Sequence, residues 1–157
     1  MCLGRIGVIA IAAVLATALI GALLLVFASD RNRLPAETLA LGRAVYQRHC
    51  AGCHGAKLEG QPDWQKLLVT GRLPAPPHDQ SGHTWHHSDR VLLEIIKYGT
   101  AAVVGGGYQS DMPPFASVLS DEEIRAVLAF IKDSWPDRER RYQQEMTRRA
   151  AVSGGRS

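Results

Sequence analysis

The chain has 157 residues with a formal net charge of +3, and 46% of its residues are hydrophobic, which suits one modest globular domain with additions. The charge is uneven, because residues 30–135 carry 11 basic and 12 acidic side chains, whereas residues 136–157 carry six arginines and three acids. A nucleic-acid-binding domain usually has a basic face on the fold itself, so this distribution argues against that class. Three cysteines are too few for a disulfide framework.

An uncharged apolar run occupies residues 6–27, in which only Thr17 is appreciably polar. About 20 such residues span a bilayer as a helix, so we predict a transmembrane anchor at 6–27. A short cytoplasmic N-terminus at 1–5 precedes the anchor, and a polar linker at 28–35 follows it. A cleaved signal peptide is the alternative, although the run is longer than a usual signal core. Cys2 is interpreted as a free cytoplasmic thiol.

Apolar periodicity predicts an all-α domain with long loops over residues 36–135. Ser88 is a predicted N-cap, and Ser120 begins a capping box with Glu123. Pro136 ends or kinks the last helix of this domain. The predicted helices cover residues 37–50, 88–99 and 120–135.

The segments between these helices are predicted to be loops, because Pro and Gly are frequent and apolar periodicity is weak. Residues 55–87 contain at most a short turn of helix around Trp64–Val69. Residues 99–111 contain three consecutive glycines and no predicted helix. The basic tail at 136–157 is predicted to be partly helical, solvated and frayed toward its end.

Cys50, Cys53 and His54 form the pattern Cys-x-x-Cys-His, which is the attachment motif of c-type haem. The two thiols form thioether bonds to the former vinyl groups, and the histidine binds the iron from one side. A structural zinc site would need further ligands. A thioredoxin-like redox pair would follow a strand rather than end a helix, and a disulfide is a further alternative. The motif therefore predicts one covalent haem c.

Haem iron in an electron carrier usually has a second axial ligand, and a methionine in that role raises the reduction potential. Met112 follows a polar loop and precedes two prolines, which stiffen the backbone around the sulfur. Met1 precedes the membrane segment and Met146 lies in the charged tail. We therefore predict His54 and Met112 as the axial ligands, with a gap-filling core role as the alternative for Met112.

Residues 36–135 resemble the class I cytochromes c, the small monohaem family. The matching positions are Gly42, Tyr46 and Cys50 in the first helix, Val127 and Phe130 in the last helix, and Met112-Pro113 in the distal loop. The resemblance implies a close crossing of the first and last helices, one-electron chemistry, and docking through an exposed haem edge. It also implies a haem domain outside the cytoplasm, in the periplasm of a bacterial cell, with the N-terminus inside.

The resemblance further implies that a proline carbonyl orients the ring of His54. Pro62, Pro74, Pro76 and Pro77 are the candidates, and we favour the Pro76-Pro77 pair.

His78, His83, His86 and His87 lie within ten residues, around Trp85. We interpret this histidine cluster as a polar loop beside the haem, where it hydrogen-bonds the propionates or serves a structural role. A second metal site with copper, a pH-sensitive docking surface and a replacement distal ligand are the alternatives.

The predicted function is single-electron transfer at the outer face of the cytoplasmic membrane, with redox proteins of the membrane or periplasm as partners. No enzymatic activity, nucleic acid or small-molecule substrate is expected. A peroxidase-like enzyme is one alternative, but it needs an open iron position, against which Met112 argues. A metal-relay or sensor module, or a haem subunit of a copper-containing oxidase, is the other alternative and would use residues 78–87.

Overall fold

The protein divides into two compact units, Met1–Pro35 and Ala36–Ser157. The computed structural model describes residues 15, 17–21 and 34–154. In the first unit, residues 15 and 17–21 are helical. The rest of the predicted anchor at 6–27 lies outside the described residues, as do the predicted N-terminus at 1–5 and most of the linker at 28–35. No helix within the described ranges is long and apolar enough to cross a membrane.

Every regular element of the second unit that the structure describes is helical, as the sequence predicts. In chain order these are α1 (Ala36–His49), α2 (Ala51–His54), a 3₁₀ helix (Thr84–His86), α3 (Asp89–Tyr98), α4 (Thr100–Val104), α5 (Asp121–Asp133) and α6 (Asp137–Gly154). Long loops join α2 to the 3₁₀ helix and α4 to α5. The all-α prediction is therefore confirmed for the described part of this unit.

The predicted caps are present at the starts of α3 and α5. The Ser88 side chain accepts a hydrogen bond from the Val91 amide at the start of α3. Ser120 and Glu123 form a reciprocal capping box at the start of α5. Both devices satisfy amides that a helix start leaves without partners, so they fix where the two helices begin.

Two loop predictions are wrong in part. The predicted loop at 55–87 ends in the 3₁₀ helix Thr84–His86, whereas residues 64–69 form no helical turn. Likewise, the predicted loop at 99–111 contains the short helix α4. Gly99, at a φ of 80°, ends α3 and redirects the chain into α4.

Helices α1 and α5 cross closely at Gly42, as the family resemblance implies. A side chain at residue 42 would overlap the Ala126 carbonyl oxygen and lie 2.6 Å from its carbonyl carbon and 2.8 Å from Phe130 Cβ. Beside the crossing, the rings of Tyr46 and Phe130 pack with centroids 5.5 Å apart. Val127 is fully buried in the same interface. The crossing positions the end of α1, which leads directly into the Cys-x-x-Cys-His motif.

The prediction of a solvated tail is wrong for one face of α6. Gln143 is completely buried and Glu139 is 7% exposed. The Gln143 amide donates hydrogen bonds to the His87 carbonyl at 3.2 Å and to the Asp89 carboxylate at 2.6 Å. Lys132 on α5 pairs with the same carboxylate at 2.6 Å. These contacts join both α6 and the end of α5 to the start of α3.

Candidate functional site

The Cys-x-x-Cys-His motif continues from α1 through one further turn. The Cys50 amide donates to the Tyr46 carbonyl, and the His54 amide donates to the Cys50 carbonyl, both at 2.9 Å. The buried Tyr46 hydroxyl donates to the Gly55 carbonyl at 2.9 Å and thereby fixes the end of the motif. The two cysteines and His54 are therefore held within the same short turn.

Both motif cysteines are free thiols rather than a disulfide, and Cys53 is exposed whereas Cys50 is partly buried. Burial, followed by the neighbouring Cys53, raises the pKa of the Cys50 thiol to about 11. Redox-active cysteine pairs use a thiol of lowered pKa, because the thiolate is the nucleophile. The raised pKa of Cys50 does not match the lowered pKa of a thioredoxin-like pair.

His54 is buried, with only 7% of its surface exposed. Its Nδ1 lies 2.8 Å from the Pro76 carbonyl oxygen, which only accepts, so Nδ1 carries the proton. Burial lowers the pKa of His54, although the hydrogen bond to Pro76 acts in the opposite direction. The neutral imidazole therefore presents the lone pair of Nε2 to a metal. Among the four candidate prolines, the structure selects Pro76.

The His78 ring packs against the His54 ring. The two imidazoles stack with centroids 3.9 Å apart and planes inclined by 22°. His78 Nδ1 lies 2.8 Å from the Thr84 hydroxyl, and the Trp135 indole donates to the His78 carbonyl at 2.6 Å. Burial, then the neighbouring His54, lowers the pKa of His78 well below its usual value. His78 is thus a neutral, structural neighbour of His54 rather than a surface ligand.

Met112 lies in the loop between α4 and α5, and its sulfur and backbone both have partners. The Thr100 hydroxyl donates to Met112 Sδ at 3.3 Å, and the Met112 amide donates to the Ser110 hydroxyl at 3.2 Å. Farther along, the Phe115 amide donates to the Ile96 carbonyl at 3.1 Å. The loop that carries the thioether is therefore attached to the end of α3.

An ion pair joins the two long loops of the site. Arg72, in the loop after the motif, pairs with Asp111, the residue before Met112. The Arg72 Nε and Trp85 Nε1 atoms are buried and have no hydrogen-bond partner within the described residues. Buried donors without a partner suit an acceptor such as a carboxylate. The two thiols and the imidazole Nε2, held in one short turn, fit haem c.

The remaining histidines of the cluster do not converge on a metal. His83 stacks on Trp64 with ring centroids 5.3 Å apart, and the His83 and His87 rings meet edge-on at 5.4 Å. His86 packs on Trp85, at 3.8 Å between centroids. Across the part of the chain that the structure describes, no three His, Cys, Asp or Glu side chains are grouped to hold a metal ion. The rings of these histidines pack on aromatic neighbours instead, and the alternative of a second metal site stays untested.

Sequence reasoning missed Thr84, Thr100 and the Arg72–Asp111 pair. Threonine is common in loops and at helix starts. The residue type alone therefore did not indicate that Thr84 contacts His78 or that Thr100 contacts Met112. Arg72 and Asp111 are 39 residues apart, and only the folded loops bring them together.

The similarity to known proteins covers the domain that contains this site. The family model described as Cytochrome c matches residues 39–135. Nitrite reductase of Stutzerimonas stutzeri is 27% identical over 110 residues, which are 66% of this chain and 17% of that protein. The cbb3-type cytochrome c oxidase subunit CcoP of Azospirillum sp. (strain B510) is 28% identical over 98 residues, 61% of this chain and 28% of that subunit.

CcoP of Azospirillum brasilense is 24% identical over 102 residues, 65% of this chain and 30% of that subunit. The chain thus spans less than a third of the length of each of these relatives. No solved structure matches it significantly.

Proposed function

Because the chain belongs to the cytochrome c family, whose domains carry covalently attached haem c, we propose that it transfers single electrons through one haem. In this proposal Cys50 and Cys53 form the two thioethers, and His54 and Met112 are the axial ligands. The observation that carries the proposal is the hydrogen bond from His54 Nδ1 to the Pro76 carbonyl at 2.8 Å, since it leaves Nε2 for the iron.

The residues around the site should keep the geometry of the iron ligands nearly the same in the oxidised and reduced states. When bound, haem supplies an iron centre that accepts and releases one electron. The cysteines tether the group, while Pro76 and the stacked His78 hold the His54 ring in one orientation. Met112, on a loop attached to α3, supplies a polarisable thioether that favours the reduced state. If His54 and Met112 both bound the iron, no position would be left for a substrate, so we propose a carrier rather than an enzyme.

Absorption spectra of the purified holoprotein test the axial ligands. We expect a low-spin c-type spectrum with a methionine–iron charge-transfer band in the oxidised protein. Met112→Ala abolishes this band, whereas Met146→Ala on α6 is the matched control and leaves it unchanged. A high-spin wild-type spectrum, or a band that survives Met112→Ala, overturns the assignment of Met112 and supports the enzyme alternative.

Denaturing electrophoresis with haem staining tests the attachment. Haem stays on the wild-type chain after denaturation, because thioether bonds do not dissociate. A double variant, Cys50→Ser with Cys53→Ser, loses the stain, and Cys2→Ser retains it as the control. Stain that remains on the double variant refutes attachment through these two sulfurs.

We also propose that residues 6–27 anchor the protein in the cytoplasmic membrane with the haem domain in the periplasm. The length and composition of the apolar run support this placement, and covalent attachment of haem outside the cytoplasm is what the family resemblance implies. The full-length protein should stay with membranes after an alkaline wash, and protease added to spheroplasts should degrade the haem domain. An intact mass that lacks the first 28 or so residues would show instead that the run is a signal peptide.

A haem subunit of a respiratory oxidase is the second candidate, and the similarity to two CcoP subunits favours it. Native electrophoresis of detergent-solubilised membranes tests this candidate. A stable subunit migrates with an oxidase band that stains for both haem and oxidase activity, whereas a mobile carrier migrates alone. Migration alone at mild detergent concentrations rejects the subunit assignment.

A further inference from the structure

The sulfur of Met112 already accepts a hydrogen bond from the protein. Thr100 Oγ1 lies 3.3 Å from Met112 Sδ, and the hydroxyl is the donor, since a thioether has no proton. A thioether sulfur has two lone pairs, so one can accept this hydrogen bond while the other binds iron. Resting on the proposed ligation by Met112, we infer that Thr100 is a positioning residue that raises the reduction potential through this sulfur.

Both partners of the hydrogen bond are fixed by the backbone around them. Thr100 is the first residue of α4, directly after Gly99, whose amide donates to the Ile95 carbonyl at 2.9 Å. A side chain at residue 99 would lie 3.0 Å from the Met112 carbonyl oxygen, so the two chain segments are in close contact. The branched Thr100 side chain also has few χ1 rotamers available. The contact is thus part of the packing between α4 and the loop of Met112.

The direction of the effect follows from electron density at the sulfur. A hydrogen bond to the sulfur withdraws density that the iron would otherwise receive. The oxidised iron carries one more positive charge and depends more on that density, so the hydrogen bond destabilises the oxidised state relative to the reduced state. Loss of the hydroxyl therefore makes the protein easier to oxidise and strengthens the bond between Met112 and oxidised iron.

Two substitutions separate the hydroxyl from the shape of the side chain. Thr100→Val keeps the branched shape and removes the donor, whereas Thr100→Ser keeps the donor and removes a methyl group. Each holoprotein is titrated against a redox mediator of known potential. The redox equilibrium shifts only by the difference in hydrogen-bond strength between the two oxidation states, so the full strength of an ordinary bond sets an upper limit of about tenfold. We expect Thr100→Val to favour oxidation by at least about twofold. Thr100→Ser should stay within about twofold of the wild type.

A second readout distinguishes tuning from simple loosening of the loop. In oxidised Thr100→Val the methionine–iron band should persist to at least the same urea concentration as in the wild type. If the Val and Ser variants shift the equilibrium equally, or if Val shifts it less than twofold, the inference about Thr100 is overturned while ligation by Met112 stands. A wild-type protein without the methionine–iron band overturns both.

Discussion

Replacing Gly42 with alanine should destabilise the domain strongly, although alanine is the better helix former. The added methyl group overlaps the Ala126 carbonyl oxygen and comes within 2.8 Å of Phe130 Cβ. A backbone carbonyl inside α5 cannot rotate away, so helices α1 and α5 must separate. Overpacking of this kind costs about 1–3 kcal/mol or more, whereas the gain in helix propensity is at most about 1 kcal/mol. Because the obstacle is backbone, we take the cost at the upper end, about 3 kcal/mol, and expect a net loss of about 2 kcal/mol.

Urea unfolding of the holoprotein, followed by far-ultraviolet circular dichroism, measures this loss, and a thermal scan should show a midpoint lowered by about 10 °C. Gly154→Ala is the control, because Gly154 is also helical and a methyl group there meets nothing within 4 Å. That variant should be neutral or slightly more stable. If Gly42→Ala and Gly154→Ala unfold at the same urea concentration, the close crossing does not determine stability and the reasoning fails.

Three further predictions concern contacts around the site. Trp135→Phe removes the indole N–H that donates to the His78 carbonyl at 2.6 Å, and we expect about 1–3 kcal/mol less stability in urea unfolding; an unchanged midpoint contradicts this. Replacing the fully buried Gln143 with alanine should speed proteolytic cleavage within α6, and an unchanged cleavage rate refutes the packing of that helix. Burial, followed by the neighbouring histidines, lowers the pKa of His83 from 6.5. As the pH falls, the unfolded chain therefore binds a proton at His83 before the folded chain does. The free energy of unfolding should decrease as the pH falls below about 6.5. His83→Phe, which keeps the ring stack on Trp64, should lose less stability than the wild type between about pH 7.5 and about pH 5, and an equal loss in both proteins counts against this account.

Local chemistry explains why much of the fold was predictable. Ser88 and Ser120 mark helix starts because a side-chain oxygen followed by the right amide satisfies the first turn, whatever the rest of the fold does. The helix at 37–50 is predictable from apolar periodicity. The short helix α4 was not predictable, since five small and β-branched residues carry little periodicity and only the contact of Gly99 with the loop of Met112 places it there.

The burial of one face of α6 was also not predictable from the local sequence. A polar, arginine-rich stretch predicts an exposed helix, because charged side chains avoid burial. The exceptions are Glu139 and Gln143. Gln143 is buried where the His87 carbonyl and the Asp89 carboxylate satisfy its amide. Those partners are more than 50 residues away in sequence, so the burial of one polar residue cannot be read from its neighbours.

The sequence by itself determined the family resemblance, the attachment motif and the candidate ligands, because two thiols and an imidazole at fixed spacing are required by the geometry of one group. It did not determine what surrounds those ligands. Only the tertiary structure selected Pro76 among four prolines, stacked His78 on His54, and brought Thr100 to the sulfur of Met112. The physical reason is that ligand identity is a local property of the chain, whereas ring orientation and sulfur electron density depend on residues that meet only when the long loops fold.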